Sequence, residues 1–180
     1  MDLIAVSGSL RKQSFNTRLG QLLSTVSATD ARLKVADLQG IPLYNGDEED
    51  EFGIPDAVTE LRKQIKASDG LIIITPEYNA GMPGVLKNAL DWLTRPGDEM
   101  KPTFSKRPTA IAGATPGAWG TAFAQSSALI NLRQLGVNLF PDYLRVSRAH
   151  ESLNEGAVDP KLEEQAARWL QNFVKFVRAA

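Results

Sequence analysis

The sequence predicts a doubly wound α/β domain: a five-stranded parallel sheet in the order 2-1-3-4-5, with helices on both faces. Two observations predict it. Short apolar runs alternate with helical patterns five times along the 180 residues, as parallel strands joined by crossover helices do. Right-handed crossovers leave two main layouts, and five strands favour this one. In addition, the first run opens directly into a donor-rich loop, Val6 to Thr17 (V-S-G-S-L-R-K-Q-S-F-N-T), and then a helix. Residues 1–180 are expected to form one domain, long enough to bury a core without disulfides or metal.

The strands are expected at Leu3–Val6, Leu33–Leu38, Leu71–Thr75, Thr109–Ala114 and Asn138–Val146. The third is the most apolar and suits a central position covered on both faces. The fifth contains Pro141, which suits an edge strand or a bend. Helical spacing appears in five places. Leu19, Leu22, Leu23 and Val26 form the first stripe, starting near Thr17. Val58, Leu61 and Ile65 follow Pro55, and Val85, Leu86, Ala89, Leu90 and Leu93 follow Pro83-Gly84. Phe123, Ser127, Ile130 and Leu135 precede Gly136, a natural stop. Leu162, Ala166, Trp169, Phe173 and Val177 form the last stripe, opened by Asp159-Pro160. All five stripes read as core. The acidic stretch Asp47–Glu51 and residues 147–159 read as solvated connections.

Composition excludes several classes. Hydrophobic residues make up 43 % and charged ones 23 %, with a formal net charge of −1, which argues against a nucleic-acid-binding surface. With no cysteine and one histidine, thiol redox chemistry and a zinc or other metal centre are not expected. No run approaches the roughly 18–20 apolar residues of a membrane span. No secretory leader precedes the first strand, so a cytoplasmic, membrane-free protein is expected.

In an open α/β sheet, ligands bind beyond the carboxyl ends of the strands, at the switch point between strands 1 and 3. The three unusual loops of this chain leave strands 1, 3 and 4. The first has no acid, two cations (Arg11, Lys12) and four short polar side chains (Ser7, Ser9, Ser14, Asn16), ahead of a helix N-terminus that favours an anion. The second is Pro76–Gly84 (P-E-Y-N-A-G-M-P-G) and the third Thr115–Gly120 (T-P-G-A-W-G), each with two glycines three apart. No G-x-G occurs, so the dinucleotide fingerprint fails, and no P-loop follows a strand. One phosphate site beside loops that bring amides, Tyr78 and Trp119 to a planar group suits flavin mononucleotide (FMN). Amides at the start of the helix after strand 3 are suited to stabilising charge on its reduced ring.

Gly8–Asn16 (G-S-L-R-K-Q-S-F-N) and Pro76–Trp92 (P-E-Y-N-A-G-M-P-G-V-L-K-N-A-L-D-W) resemble the NADPH-dependent FMN reductase family, flavodoxin-like in fold, whose members include quinone, azo-dye and chromate reductases. Ala36–Asp47 and Gly113–Thr121 match secondary segments of that family, so the resemblance covers nearly the whole chain. It implies that Ser9, Arg11, Ser14 and Asn16 hold the FMN phosphate, and that Pro76, Glu77, Tyr78 and Asn79 line the ring and ribityl chain. Phe15, Thr115 and Gly117 join this cofactor-binding set, with Thr115 standing where relatives often carry serine. The implied reaction is a ping-pong: NADPH or NADH gives hydride to flavin N5, and a quinone, azo compound or chromate then takes two electrons from the same face. No side chain is expected to act as a covalent nucleophile.

Simpler roles exist for several of these residues. Glu77 suits a cap for the helix after strand 3, or a contribution from its backbone alone. Lys87 and Asn88 suit local pairing, and His150 suits the surface. A flavodoxin-type electron carrier is the alternative function, although such carriers are typically more acidic. A flavin-free receiver domain needs clustered carboxylates at strand ends that here carry Ser7–Ser9 and Thr75–Glu77. The resemblance also implies a homodimer or homotetramer. Trp92, Leu93, Trp119 and Phe140 are large residues that either an interface or the core of a monomer would bury.

Overall fold

A computed structural model describes residues 1–26, 30–154 and 156–180. The five main strands lie where the apolar runs predict them: β1 (Asp2–Ser7), β2 (Arg32–Ala36), β3 (Gly70–Ile74), β4 (Pro108–Ala114) and β5 (Asn138–Val146). They form one parallel sheet in the order β2-β1-β3-β4-β5. β3 is buried at every position, as its unbroken apolar run requires. β5 is the edge strand beside β4, and its register shifts between the Thr109 and Ile111 pairings. Pro141 falls within that shift, where a missing N–H is tolerated.

Each connection between main strands carries at least one helix: α1 (Phe15–Thr25), α2 (Gly46–Phe52), α3 (Asp56–Lys66), α4 (Gly84–Leu93), α5 (Met100–Phe104) and α6 (Ala122–Gln134). After β5 come α7 (Ala149–Ser152), a short antiparallel pair of β6 (Leu153–Asn154) with β7 (Ala157–Val158), and α8 (Pro160–Ala179). Alternating strand residues feed two separate apolar cores. Leu3, Ala5, Ile72 and Ile74 pack with α1 and α8; Ile4, Val6, Leu71 and Ile73 pack with α3, α4 and α6. The two ends of α8 illustrate why the local sequence folds so. Asp159 accepts from the Lys161 amide at 2.7 Å, Pro160 occupies the first turn, and the stripe from Leu162 to Val174 is buried.

Three expectations are corrected. The acidic stretch Asp47–Glu51 is helical in α2, not a loop. Asn45 caps it by accepting from the Asp47 amide at 3.1 Å, and Asp47, Glu48 and Glu49 favour its positive end. No residue of α2 is buried, so apolar periodicity had nothing to mark. Residues 147–159 fold into α7 and the β6–β7 pair, with Glu155 outside the described residues. The buried face of α6 is Ala124, Gln125, Ala128 and Leu132, whereas Phe123 and Ile130 are exposed. Small alanines let the helix lie close to the sheet and turn the larger side chains outward. Of the residues left open between an interface and the core, Trp92 and Leu93 are core residues, and Phe140 packs on Trp169, Phe173 and Phe176. Only Trp119 of the four is exposed, at 70 %.

Candidate functional site

The carboxyl ends of β1, β3 and β4 bring the three unusual loops together. The loop after β1 begins against the loop after β3: the Gly8 amide donates to the Ile74 carbonyl at 2.8 Å. A side chain at Gly8 would come within 3.2 Å of both that oxygen and the Pro76 ring, so the position needs glycine. Ser9 and Ser14 are buried, and each hydroxyl accepts a backbone bond, from the Arg11 amide at 3.3 Å and the Asn16 amide at 3.1 Å. Their hydroxyl hydrogens therefore stay available to donate. Ser14 is the N-cap of α1, which carries no acid in its first turn. Arg11 and Lys12 are exposed and have no ion-pair partner among the described residues. Two hydroxyl donors, a guanidinium and a helix N-terminus without acids are groups whose chemistry suits a phosphate dianion.

Asn16 has a different partner. Its carboxamide is 3 % exposed and exchanges two hydrogen bonds with Ala114, Nδ2 to the carbonyl and the amide to Oδ1, both at 2.9 Å. The last bond from the β3 side to β4 is Thr75 N to Ala112 O at 2.9 Å. Beyond it, Pro76 has no N–H, and the Asn16 carboxamide continues the ladder by pairing the next backbone groups of β4. This ties α1 to the end of β4 and leaves the second Nδ2 hydrogen as the side chain's one remaining donor.

The loop after β3 turns at Asn79-Ala80, with φ of 51° and 57°. Tyr78 and Gly81 exchange backbone bonds of 3.1 Å across it, the pattern of a tight two-residue hairpin. Tyr78, Asn79 and Ala80 are exposed, while Pro76 is buried. Glu77 caps a helix, but a different one from that expected. Its Oε2 accepts from the amides of Phe123 and Ala124 at 2.9 and 3.0 Å, the first turn of α6 rather than α4.

The loop after β4 is fixed from beneath. Thr115 and Gly117 are held by Thr115 N to Val146 O, Ala149 N to Thr115 O and Arg148 N to Gly117 O, and the Thr115 hydroxyl accepts from the Gly117 amide at 3.2 Å. Trp119 and Phe123 stand exposed with ring centroids 6.3 Å apart.

Sequence reading missed the residues that set this loop. Thr121 is buried with φ of 60°, unusual for a β-branched side chain. It does not cap α6; its hydroxyl takes a bond from Gln125 Nε2 at 3.0 Å, and Gln125 also reaches the Leu144 carbonyl at 3.2 Å. Gly113 lies directly against Thr121 and the Thr75 carbonyl. Ser127 accepts from the Met82 amide at 3.0 Å. The available signal was the polar run Gln125-Ser126-Ser127 set between the apolar residues Ala122–Ala124 and Ala128–Ile130. Lys87 pairs locally with Asp91 at 2.6 Å, whereas Asn88 makes distant bonds, accepting from the Tyr44 amide and donating to the Pro42 carbonyl, both at 2.8 Å. His150 is a surface residue 3.6 Å from Glu151.

Residues 1–151 match the model of the NADPH-dependent FMN reductases. The chain belongs to this family. Among relatives, it is 37 % identical over 179 residues to a 2-hydroxy-1,4-benzoquinone reductase of a Burkholderia species, covering 97 % of this chain and 92 % of that one. It is 38 % identical over 179 residues to an NAD(P)H-dependent FMN reductase of Pseudomonas aeruginosa, covering 98 % and 95 %. Among solved structures, the flavoenzyme NAD(P)H:acceptor oxidoreductase FerB of Paracoccus denitrificans superposes with a TM-score of 0.85 at 30 % identity, covering 99 % and 97 %. A flavodoxin of Bacillus cereus, at 16 % identity and a TM-score of 0.62, shares the fold alone. This family member is therefore an oxidoreductase of the FMN reductase and quinone reductase type, working with FMN and NAD(P)H. The donors at the start of α1 fit the phosphate of that cofactor. Among the described residues no group of acidic or histidine side chains suits a metal, and no helix is long and apolar enough to cross a membrane.

Proposed function

We propose that this FMN reductase oxidises NAD(P)H and reduces quinones, with azo compounds and chromate as further acceptors, in a single cytoplasmic FMN-binding domain spanning residues 1–180. The observation that carries the proposal is the pair of buried hydroxyls, Ser9 and Ser14, whose hydrogens remain free beside Arg11 and the acid-free start of α1. Ser9, Arg11, Ser14 and Phe15 surround the phosphate of FMN, and Pro76, Tyr78, Asn79, Thr115 and Gly117 border its ring. Asn16 and Glu77 contribute by joining loops. When bound, FMN supplies two-electron chemistry, accepting hydride from NAD(P)H and passing it to an acceptor in a separate half-reaction at the same face. The chain's own work is to bind and orient. Exposed Tyr78, Trp119 and Phe123 offer flat apolar surface to a nicotinamide or a quinone. No nucleic-acid partner is expected.

The exposed row Trp119, Phe123 and Ile130 supports a homodimer or homotetramer, because a monomer gains nothing by leaving these side chains in water. The functional test is the spectrum and kinetics of protein reconstituted with FMN. Protein-bound absorbance near 450 nm, NADPH-dependent benzoquinone reduction and parallel double-reciprocal lines are the expected results. Free flavin passing unretained through a desalting column refutes the cofactor assignment, and intersecting lines refute the alternating order.

A further inference from the structure

The loop after β3 is held to α6 by two side-chain bonds, one of which also caps the helix. Thr121, at the N-cap position, makes no capping bond. The first-turn amides are instead satisfied by Glu77, 46 residues earlier and on the loop after β3. One turn further along α6, Ser127 accepts from the Met82 amide while donating to the Ala124 carbonyl at 2.9 Å. The Pro76–Met82 loop is thus attached to α6 near both of its ends. Between the attachments lies the Tyr78–Gly81 turn, with Asn79 and Ala80 in left-handed conformation. The same first turn of α6 carries Phe123 against Trp119.

We propose that Glu77 and Ser127 are positioning residues that fix the spacing between the Tyr78 turn and the Trp119–Phe123 pair, and with it the grip on a flat quinone acceptor. The proposal rests on the cofactor and acceptor reading above. The Glu77 carboxylate is engaged with the amides of α6 through Oε2. It lends a helix-capping bond to the alignment of two loops. A charged oxygen on two helix amides is a strong bond, and a turn with an alanine at positive φ persists only where its surroundings hold it.

The test uses the full-length protein with Glu77→Ala, Glu77→Gln, Ser127→Ala and the Glu77→Ala/Ser127→Ala pair. Amide hydrogen exchange without FMN is followed at Met82, Phe123 and Ala124. KM and kcat for a soluble benzoquinone are then measured with FMN. Glu77→Ala is expected to speed exchange at Phe123 and Ala124 by about tenfold and to raise the quinone KM several-fold more than it lowers kcat. Glu77→Gln, whose carbonyl oxygen accepts the same two amides, is expected to recover most of both losses. Ser127→Ala should speed exchange at Met82 and raise KM, and the double variant should lose less than the product of the single losses, because both bonds hold one loop.

Unchanged exchange and unchanged KM in Glu77→Ala overturn the proposal. So does a Glu77→Gln variant as impaired as Glu77→Ala, which would place the effect in charge rather than alignment. Where Glu77→Ala does not fold, Ser127→Ala decides alone by the same two readouts. Wild-type protein that retains no FMN defeats the cofactor reading, while exchange in the flavin-free protein still decides whether the attachments hold the loops.

Discussion

Replacing Asn16 by alanine separates two roles for the same side chain. If its carboxamide continues the β4 ladder, its loss leaves the buried Ala114 N–H and C=O without partners. Each orphaned backbone group costs about 1–3 kcal/mol, so Asn16→Ala should lower stability by about 2–6 kcal/mol, a large part of a typical total of roughly 5–15. Urea unfolding followed by far-UV circular dichroism measures this as a lower midpoint with an unchanged slope. Asn16→Asp sharpens the test. An ionised carboxylate accepts from the Ala114 amide but faces its carbonyl without a hydrogen to offer. The folded state would then favour protonation, raising the folded pKa of the new aspartate. The penalty is full above that raised pKa and shrinks as pH falls through it toward the unfolded value. A loss of FMN affinity with stability changed by less than about 0.5 kcal/mol, the range of an ordinary surface substitution, would refute the ladder argument and return Asn16 to the phosphate.

Three further outcomes are expected. Arg11→Ala should weaken FMN binding by about 1.5–3 kcal/mol, roughly ten- to hundredfold in Kd, by fluorescence titration at fixed salt; unchanged affinity moves the phosphate away from Arg11. Gly113→Ala places a methyl group on the Thr121 hydroxyl and 2.5 Å from the Thr75 carbonyl, both buried in close packing. It should cost at least about 1–3 kcal/mol, read as a fall in Tm, and a Tm equal to wild type contradicts the packing. Glu49 accepts from Arg95 at 2.9 Å, and this bond, aided by the Tyr44 hydroxyl, holds its carboxyl below the usual range. A depressed folded pKa gives stability that is present above the unfolded value of about 4.3 and lost as pH falls through the folded one. Amide protection in α2 should therefore fade below about pH 4 in wild type and show a smaller step in Glu49→Gln.

Much of the architecture could be read from residue spacing because burial wrote it there. β3 is apolar throughout, the stripes of α1, α3 and α8 repeat at helical intervals, and the order of strands followed from crossover chirality. α2 escaped because it buries nothing, and its signal was an asparagine cap followed by acids. α6 was assigned the wrong face because its buried side is built from alanine and one fully satisfied glutamine, while Phe123 and Ile130 look outward. At the site, the loops themselves were legible through glycine spacing and polar donors. Their mutual attachments were not, since Asn16 meets Ala114 across 98 residues and Glu77 meets α6 across 46 and 47. Local pattern carries no information about such pairs.

The sheet divides the hydrophobic interior into two layers that share no helix, α1 and α8 behind one face and α3, α4 and α6 behind the other. A coenzyme seated across the strand ends as proposed would bridge them, with the start of α1 at one extremity and the loops before α6 at the other. Its binding energy is paid out to both layers together, so saturation should merge any separate softening of the two into one sharper, later melt. Cofactor loading would act in this molecule as a cross-link between halves as well as a source of redox chemistry.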